Sequence, residues 1–303
     1  MSSFILLFLC LSAGILIRRL KIFPQNSHQT LNHFIIYITL PALSLYYIPE
    51  IELDKSLLLP VGVSWIIFLG SLILFWGLGK FLGWSRKLTG CLILMSGLGN
   101  TAFIGYPVME ALYGDTGLKA AILVDQPGSF MVVSTLGIAV AIIFSKAQTS
   151  IYNIIYRIFS FPPFITFLVA LFMNMADLHF NETLKEVWQR LGSTVTPLAL
   201  VSVGLQLQIE RSSQHWNFLI LGLAYSLIVS PAIIYLFYVI VFKAKGEIIQ
   251  VSILQAAMAP MITPSIIAAT YNLKPKLANM MIGIGIPISF ITLTIWFLII
   301  KNL

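Results

Sequence analysis

Uncharged apolar runs of membrane-spanning length recur along the chain, and they constrain its fold more than any other feature. Residues 56–79 and 277–300, for example, carry no Asp, Glu, Lys or Arg. About 20 such residues coiled as a helix match the hydrocarbon core of a bilayer. Composition agrees. Of 303 residues, 58% are hydrophobic and 10% charged, with a mean hydropathy of +0.94, where a soluble domain carries about 25% charged residues. A soluble globular enzyme, a disordered chain and a nucleic-acid-binding module are excluded. At this run length the chain holds roughly nine to eleven spans and no sizeable soluble domain.

The runs predict helices near 3–17, 31–48, 57–80, 87–112, 118–144, 161–176, 187–206, 216–242, 247–271 and 277–300. The expected fold is therefore an all-α integral membrane protein of ten transmembrane helices. A secretory signal carries its positive charges before the apolar run. Here Arg18, Arg19 and Lys21 follow it, which predicts an uncleaved first helix with its N-terminus outside. With alternate loops in the cytoplasm, eleven of the eighteen basic residues lie inside, among them Arg86, Lys87, Lys274 and Lys276. The bias has the sign that the positive-inside rule requires. Both termini are expected on the non-cytoplasmic side of the cell (inner) membrane. The net charge of +7 reflects these scattered loop residues and implies no nucleic-acid partner. Cys10 and Cys91 both sit in apolar stretches, and the four histidines are dispersed, so neither a disulfide framework nor a metal site is expected.

Residues 145–160 form the longest connection and divide the chain into 1–144 and 161–303, five spans each. Ile151, Ile154, Ile155 and Ile158 recur there at helical spacing, as in an interfacial amphipathic helix. The halves resemble each other. Residues 111–130 align with 271–290 without a gap, placing Pro127-x-Ser129-Phe130 on Pro287-x-Ser289-Phe290, and Pro41 corresponds to Pro197. Because five is odd, the second copy enters the membrane from the opposite side. Inverted five-helix repeats mark secondary transporters, since each half can adopt the conformation of the other.

Spans four and nine occupy equivalent places in the halves, and both are interrupted. The fourth carries Gly97, Gly99, Asn100, Gly105 and Pro107; the ninth carries Pro260 and Pro264. Proline removes a backbone donor and glycine weakens a helix by about 1 kcal/mol relative to alanine. A single such span would read as an ordinary proline kink. A symmetric pair points to discontinuous helices and a binding site near the midplane. Asn100 and Thr101 are expected to cap a half-helix over 102–113, and Thr263 and Pro264 to be the N-cap and first residue of another over 264–272. Converging helix N-termini suit an anion. The expected substrate-binding residues are Asn100, Thr101, Pro260, Thr263, Pro264 and Ser265.

At these residues the chain resembles the auxin efflux carrier family, which includes plant auxin carriers and bacterial malate and malonate carriers. The match is Asn100-Thr101-x-x-x-Gly105-x-Pro107, continuing to Ala111-x-Tyr113-Gly114. Pro264 followed by Tyr271-Asn272-x-x-Pro275 resembles the family's ninth span. The resemblance covers nearly the whole chain. It implies a crossover of spans four and nine, as in bile-acid and sodium/proton carriers. It also implies a scaffold of spans 1, 2, 6 and 7, a transport domain of spans 3–5 and 8–10, and a homodimer. The long central hydrophilic loop of many plant members is absent, so a plant hormone substrate is not implied.

Asp125 lies well inside the fifth span, where a carboxylate costs about 2.5–3.5 kcal/mol on insertion scales. With Gln126 it is the expected ion-coupling site for H+ or Na+; the alternative is a structural carboxylate. Glu110 lies about 15 Å along a half-helix from Asn100 and reads as a surface or gate residue, and Gln255 as a packing polar group. No HExxH, GxSxG or nucleotide loop is present, so neither an enzyme nor a cofactor is expected. The expected function is secondary carriage of a small organic anion across the bilayer by elevator-type alternating access. The alternative is a cation/proton antiporter using Asp125.

Overall fold

The computed structural model describes residues 2–20, 23–24, 26–51, 57–145, 160–207 and 216–303, with side chains from residue 5 onward. The amphipathic linker expected over 145–160 lies almost wholly outside the described residues. The described residues form helices and contain no strand beyond one isolated antiparallel pairing.

Five helical runs are long and apolar enough to cross a membrane: α2 (Ser27–Glu50), α3 (Leu58–Phe81), α5 (Gly105–Ser145), α9 (Trp216–Val241) and α12 (Pro275–Ile300). The others are α1 (Ser2–Arg19), α4 (Arg86–Gly97), α6 (Pro162–Met175), α7 (Glu182–Gly192), α8 (Val195–Gln206), α10 (Glu247–Ala256) and α11 (Ile262–Thr270). Their starts follow local chemistry. Ser85 accepts from the Leu88 N–H ahead of α4, and Asn181 from the Leu184 N–H at 2.9 Å ahead of α7. Prolines open α6 and α12, where a missing N–H costs nothing.

Two boundaries differ from the sequence reading. The seventh span, expected over 187–206, divides at Ser193–Thr194 into α7 and α8. Charged residues of α7 recur on one face (Glu182, Lys185, Glu186), with Arg190 paired to Glu186 at 2.6 Å, so its amphipathic turns belong to a separate element. The loop expected after residue 112 is instead a sharp turn within α5. Gly114 adopts φ 60°, ψ −141° there, a region that only glycine enters without strain. This accounts for the glycine of the Tyr113-Gly114 motif.

The chain forms two compact units. The first comprises Met1–Lys55, Ala102–Ile122 and Phe159–Leu207; the second comprises Ser56–Thr101, Leu123–Ile158 and Gln208–Leu303. In the first, α1 packs on α8 at Gly14 and Gly204, where any Cβ would strike the facing backbone. The Asn174 amide donates to the Ile48 carbonyl at 2.9 Å and the Ile51 carbonyl at 2.7 Å, satisfying the end of α2.

In the second unit, α3 packs against α4, α9 and α10. Tyr225 and Tyr238 of α9 donate to the carbonyls of Ile67 and Leu59, at 2.7 and 2.5 Å. Pro231 interrupts α9, and a proline cannot donate to the carbonyl four residues back. That carbonyl, Leu227 O, lies in a π-helical turn and accepts from the Trp296 indole N–H at 3.1 Å. The freed backbone group thus has a partner, as hydrocarbon surroundings demand.

Candidate functional site

In the second unit two helices, α4 and α10, break off and the stretches that follow them meet. Helix α4 stops at Gly97, where a Cβ would come within 2.9 Å of Ser71 and 3.0 Å of Phe68 on α3. The chain then extends at Leu98, with φ −132° and ψ 110°. Helix α10 stops at Ala256, and residues 257–261 are also non-helical. The two extended stretches pair antiparallel. The Asn100 N–H donates to Ala259 O at 2.7 Å, and the Met261 N–H to Leu98 O at 2.9 Å. Gly99 faces Pro260 between these bonds.

Gly99–Pro260 is therefore the pair whose own N–H groups point away from the partner. Proline sits where the ladder needs no donor. Glycine sits where a Cβ would approach the Gln255 carbonyl and the Met258 side chain to 3.3 Å each. The Gly and Pro signals that predict two breaks thus also specify how the broken ends join.

The capping expected at the restarts is corrected. Helix α11 begins at Ile262, with Met261 as its N-cap at φ −71°, ψ 146°. The Met261 N–H is held by Leu98, so the extended stretch ends there and the helix starts at once. Thr263 is consequently inside the first turn and exposed, while Pro264 and Ser265 are buried. Ser265 donates to the Ile262 carbonyl at 2.7 Å. Residues 101–104 form turns and α5 starts at Gly105, so Asn100 and Thr101 precede the helix by a full turn. The Asn100 N–H serves the pairing instead.

Asn100, Thr101, Asp125 and Gln126 are all buried. Asp125 opens a π-helical turn, Asp125–Phe130, that contains Pro127. The Thr101 hydroxyl meets the Asp125 carboxylate at 2.6 Å and the Ser129 hydroxyl at 2.9 Å. Ser129 in turn meets Ser64 of α3 at 2.7 Å, and Ser64 lies 3.4 Å from the Val124 carbonyl. The Trp65 indole donates to Pro127 O at 3.2 Å. Gly128 lets α3 approach, since a Cβ there would lie 3.2 Å from the Ser64 hydroxyl.

Gln255, fully buried, donates its amide to the Thr101 carbonyl at 3.3 Å. Its Oε1 is buried with no hydrogen-bond partner among the described residues. The structure thus brings Asn100, Thr101, Asp125, Gln126 and Pro260 into one buried neighbourhood with Gln255 and with Ser129 of the repeat motif, and adds Ser64, which the sequence does not single out. Glu110 belongs to the other unit, where it accepts from Thr196.

A chain of helices with two tied breaks and a buried carboxylate beside them has the character of a carrier, and comparison with known proteins decides the matter. The profile of a family described as membrane transport protein matches residues 1–153 and 148–297. The chain belongs to this family, that of the auxin efflux carriers. Relatives of this auxin efflux carrier family member include an uncharacterized transporter of Methanocaldococcus jannaschii. It is 29% identical over 291 residues, covering 93% of this chain and 92% of the relative. An uncharacterized transporter of Methanothermobacter thermautotrophicus is 27% identical over 290 residues, with the same coverage. The auxin efflux carrier family member is thus a multi-pass membrane transporter rather than an enzyme.

Proposed function

We propose that this transporter is a secondary carrier of a small organic anion, with the substrate at the crossover. The observation that carries this reading is the antiparallel pairing of Leu98–Asn100 with Ala259–Met261 between interrupted helices. Unwound backbone at such a place supplies fixed dipoles without a buried Arg or Lys. Helix α11 starts directly after the pairing, so its partial positive charge lies beside it. Asn100, Thr101, Pro260, Thr263, Pro264 and Ser265 form the substrate site, and Gln255 joins them as a buried acceptor awaiting a donor.

In the proposed architecture ten spans form two inverted repeats, 1–144 and 161–303, joined by 145–160. Spans 1, 2, 6 and 7 act as scaffold and spans 3–5 and 8–10 as the moving part of an elevator. The compact unit that gathers α3, α4 and α9–α12 supports that division. A homodimer in the cell membrane, with both termini outside, completes the reading. Asp125 and Gln126 take the coupling ion.

Uptake of radiolabelled malonate and indole-3-acetate into proteoliposomes, with imposed proton or sodium gradients, tests the substrate class. Asn100→Ala is expected to weaken binding of the transported acid about tenfold while the yield of folded protein holds. Unchanged affinity in a direct binding assay removes the site. The second reading, a cation/proton antiporter, draws on the buried Asp125 at the crossover. It requires cation-driven proton release from vesicles with no organic acid present.

A further inference from the structure

The contacts of Asp125 carry an inference about which ion moves. Four oxygens form a line: Ser64 Oγ, Ser129 Oγ, Thr101 Oγ1 and Asp125 Oδ1, separated by 2.7, 2.9 and 2.6 Å. Beyond Ser64, the Val124 carbonyl lies at 3.4 Å. All four residues are buried, at 5% exposure or less. Separations of this size are those of O–H···O bonds. They hold a proton between neighbours, whereas a larger cation set between two of them would have to part them.

Proton counting then distinguishes two states. Each hydroxyl donates once and a carboxylate only accepts. With Asp125 ionised, the three hydroxyl protons serve the three contacts in one direction: Ser64 to Ser129, Ser129 to Thr101, Thr101 to Asp125. With Asp125 protonated there are four protons. They serve four contacts in the opposite direction: Asp125 to Thr101, Thr101 to Ser129, Ser129 to Ser64, and Ser64 to the Val124 carbonyl. The terminal carbonyl is the acceptor that the extra proton needs. In either state every hydroxyl of the line has an acceptor, so neither incurs the cost of a buried orphan.

We propose that Asp125, Thr101, Ser129 and Ser64 form a reversible proton site, so that the coupling ion of this carrier is H+ and not Na+. The proposal rests on the reading of the protein as an ion-coupled transporter. On loading, the proton bonds to Asp125 Oδ1 and neutralises the carboxylate. The three hydroxyls rotate about their C–O bonds, and no covalent bond breaks. On release the same O–H bond breaks and the line reverts. Thr101 also follows Asn100 directly and accepts from Gln255 through its carbonyl, which sets the site against the crossover backbone. The charged residues of the surrounding elements are Lys80 on α3, Arg86 and Lys87 at the start of α4, and Glu247 at the start of α10. All are exposed at helix ends; on α5 itself Lys119, Asp115 and Glu110 precede Asp125 by six residues or more.

Infrared difference spectroscopy of the reconstituted protein between alkaline and acid buffer reads the site without any substrate. The expected result is a protonated-carboxyl C=O band that Asp125→Asn abolishes. Ser129→Ala leaves the Thr101 hydroxyl without an acceptor only in the protonated state. It is therefore expected to move the band's titration midpoint roughly one unit toward lower pH, a tenfold loss of proton affinity. Thr101→Val removes the donor to the ionised carboxylate and is expected to move the midpoint toward higher pH, and Thr101→Ser to restore the wild-type midpoint, which keeps the test available should Asp125→Asn misfold. Sodium chloride at constant pH is expected to leave the band unchanged. A band that survives in Asp125→Asn, midpoints indifferent to Ser129 and Thr101, or suppression of the band by Na+ at constant pH overturns the proposal. Uptake of malonate or indole-3-acetate is scored separately. The Asp125 band without uptake condemns the substrate reading alone, and uptake without the band condemns the proton site alone.

Discussion

At the scale of single residues, the chain separates two uses of small polar side chains. Thr39 and Ser44 donate to the carbonyls four residues back, Ile35 and Leu40, the usual way a hydroxyl is satisfied inside a helix. Ser64 instead meets Ser129, 65 residues further along the chain. A lone serine in an apolar run gives no hint of which it will do, so Ser64 was not legible, whereas Asp125 was: an intramembrane carboxylate is conspicuous by its cost. Gly114 was legible as part of a motif, but its reason is conformational, because φ 60° with ψ −141° strains any residue with a Cβ. Gly114→Ala is expected to destabilise the protein by about 1–3 kcal/mol. A thermal unfolding midpoint in detergent equal to that of wild type refutes this.

At the scale of elements, helix breaks were readable where Gly and Pro cluster at matching places in the two halves. The breaks after Gly97 and Ala256 fall among Gly99, Pro260 and Pro264. The division between α7 and α8 lies between Gly192 and Pro197, but the apolar residues of α7 run on into those of α8 and mask it. The cap of α11 was misplaced by two residues because its position depends on a long-range bond, Met261 N–H to Leu98 O, which local propensity does not report. The pairing itself makes an asymmetric prediction. Pro260→Ala keeps both flanking hydrogen bonds and is expected to change stability by less than about 1 kcal/mol. Gly99→Val forces a branched side chain against the Gln255 carbonyl and Met258 and is expected to cost about 1–3 kcal/mol. Denaturation of the two variants side by side checks the order; Pro260→Ala as the more damaging change contradicts the assigned register.

At the scale of the whole molecule, apolar patterning announced a membrane protein, and the family match confirms a transporter. How its parts move is a matter for labelling. Thr263 is exposed beside the crossover, and the native Cys10 and Cys91 are buried, so background reaction is low. Under the proposed elevator cycle, Thr263→Cys is expected to react with an impermeant maleimide added to either side of the membrane during exchange. Reaction from one side only, under every gradient, argues for a fixed pore. The Gly99–Pro260 pairing has an evolutionary corollary. Sliding it by one residue would set proline where the ladder calls for an N–H, so its alignment is keyed, and new cargo preferences must arise by changing side chains on an unaltered frame. Chimaeras that exchange residues 98–101 together with 257–261 between relatives should therefore stay active, where transplanting either segment alone should not.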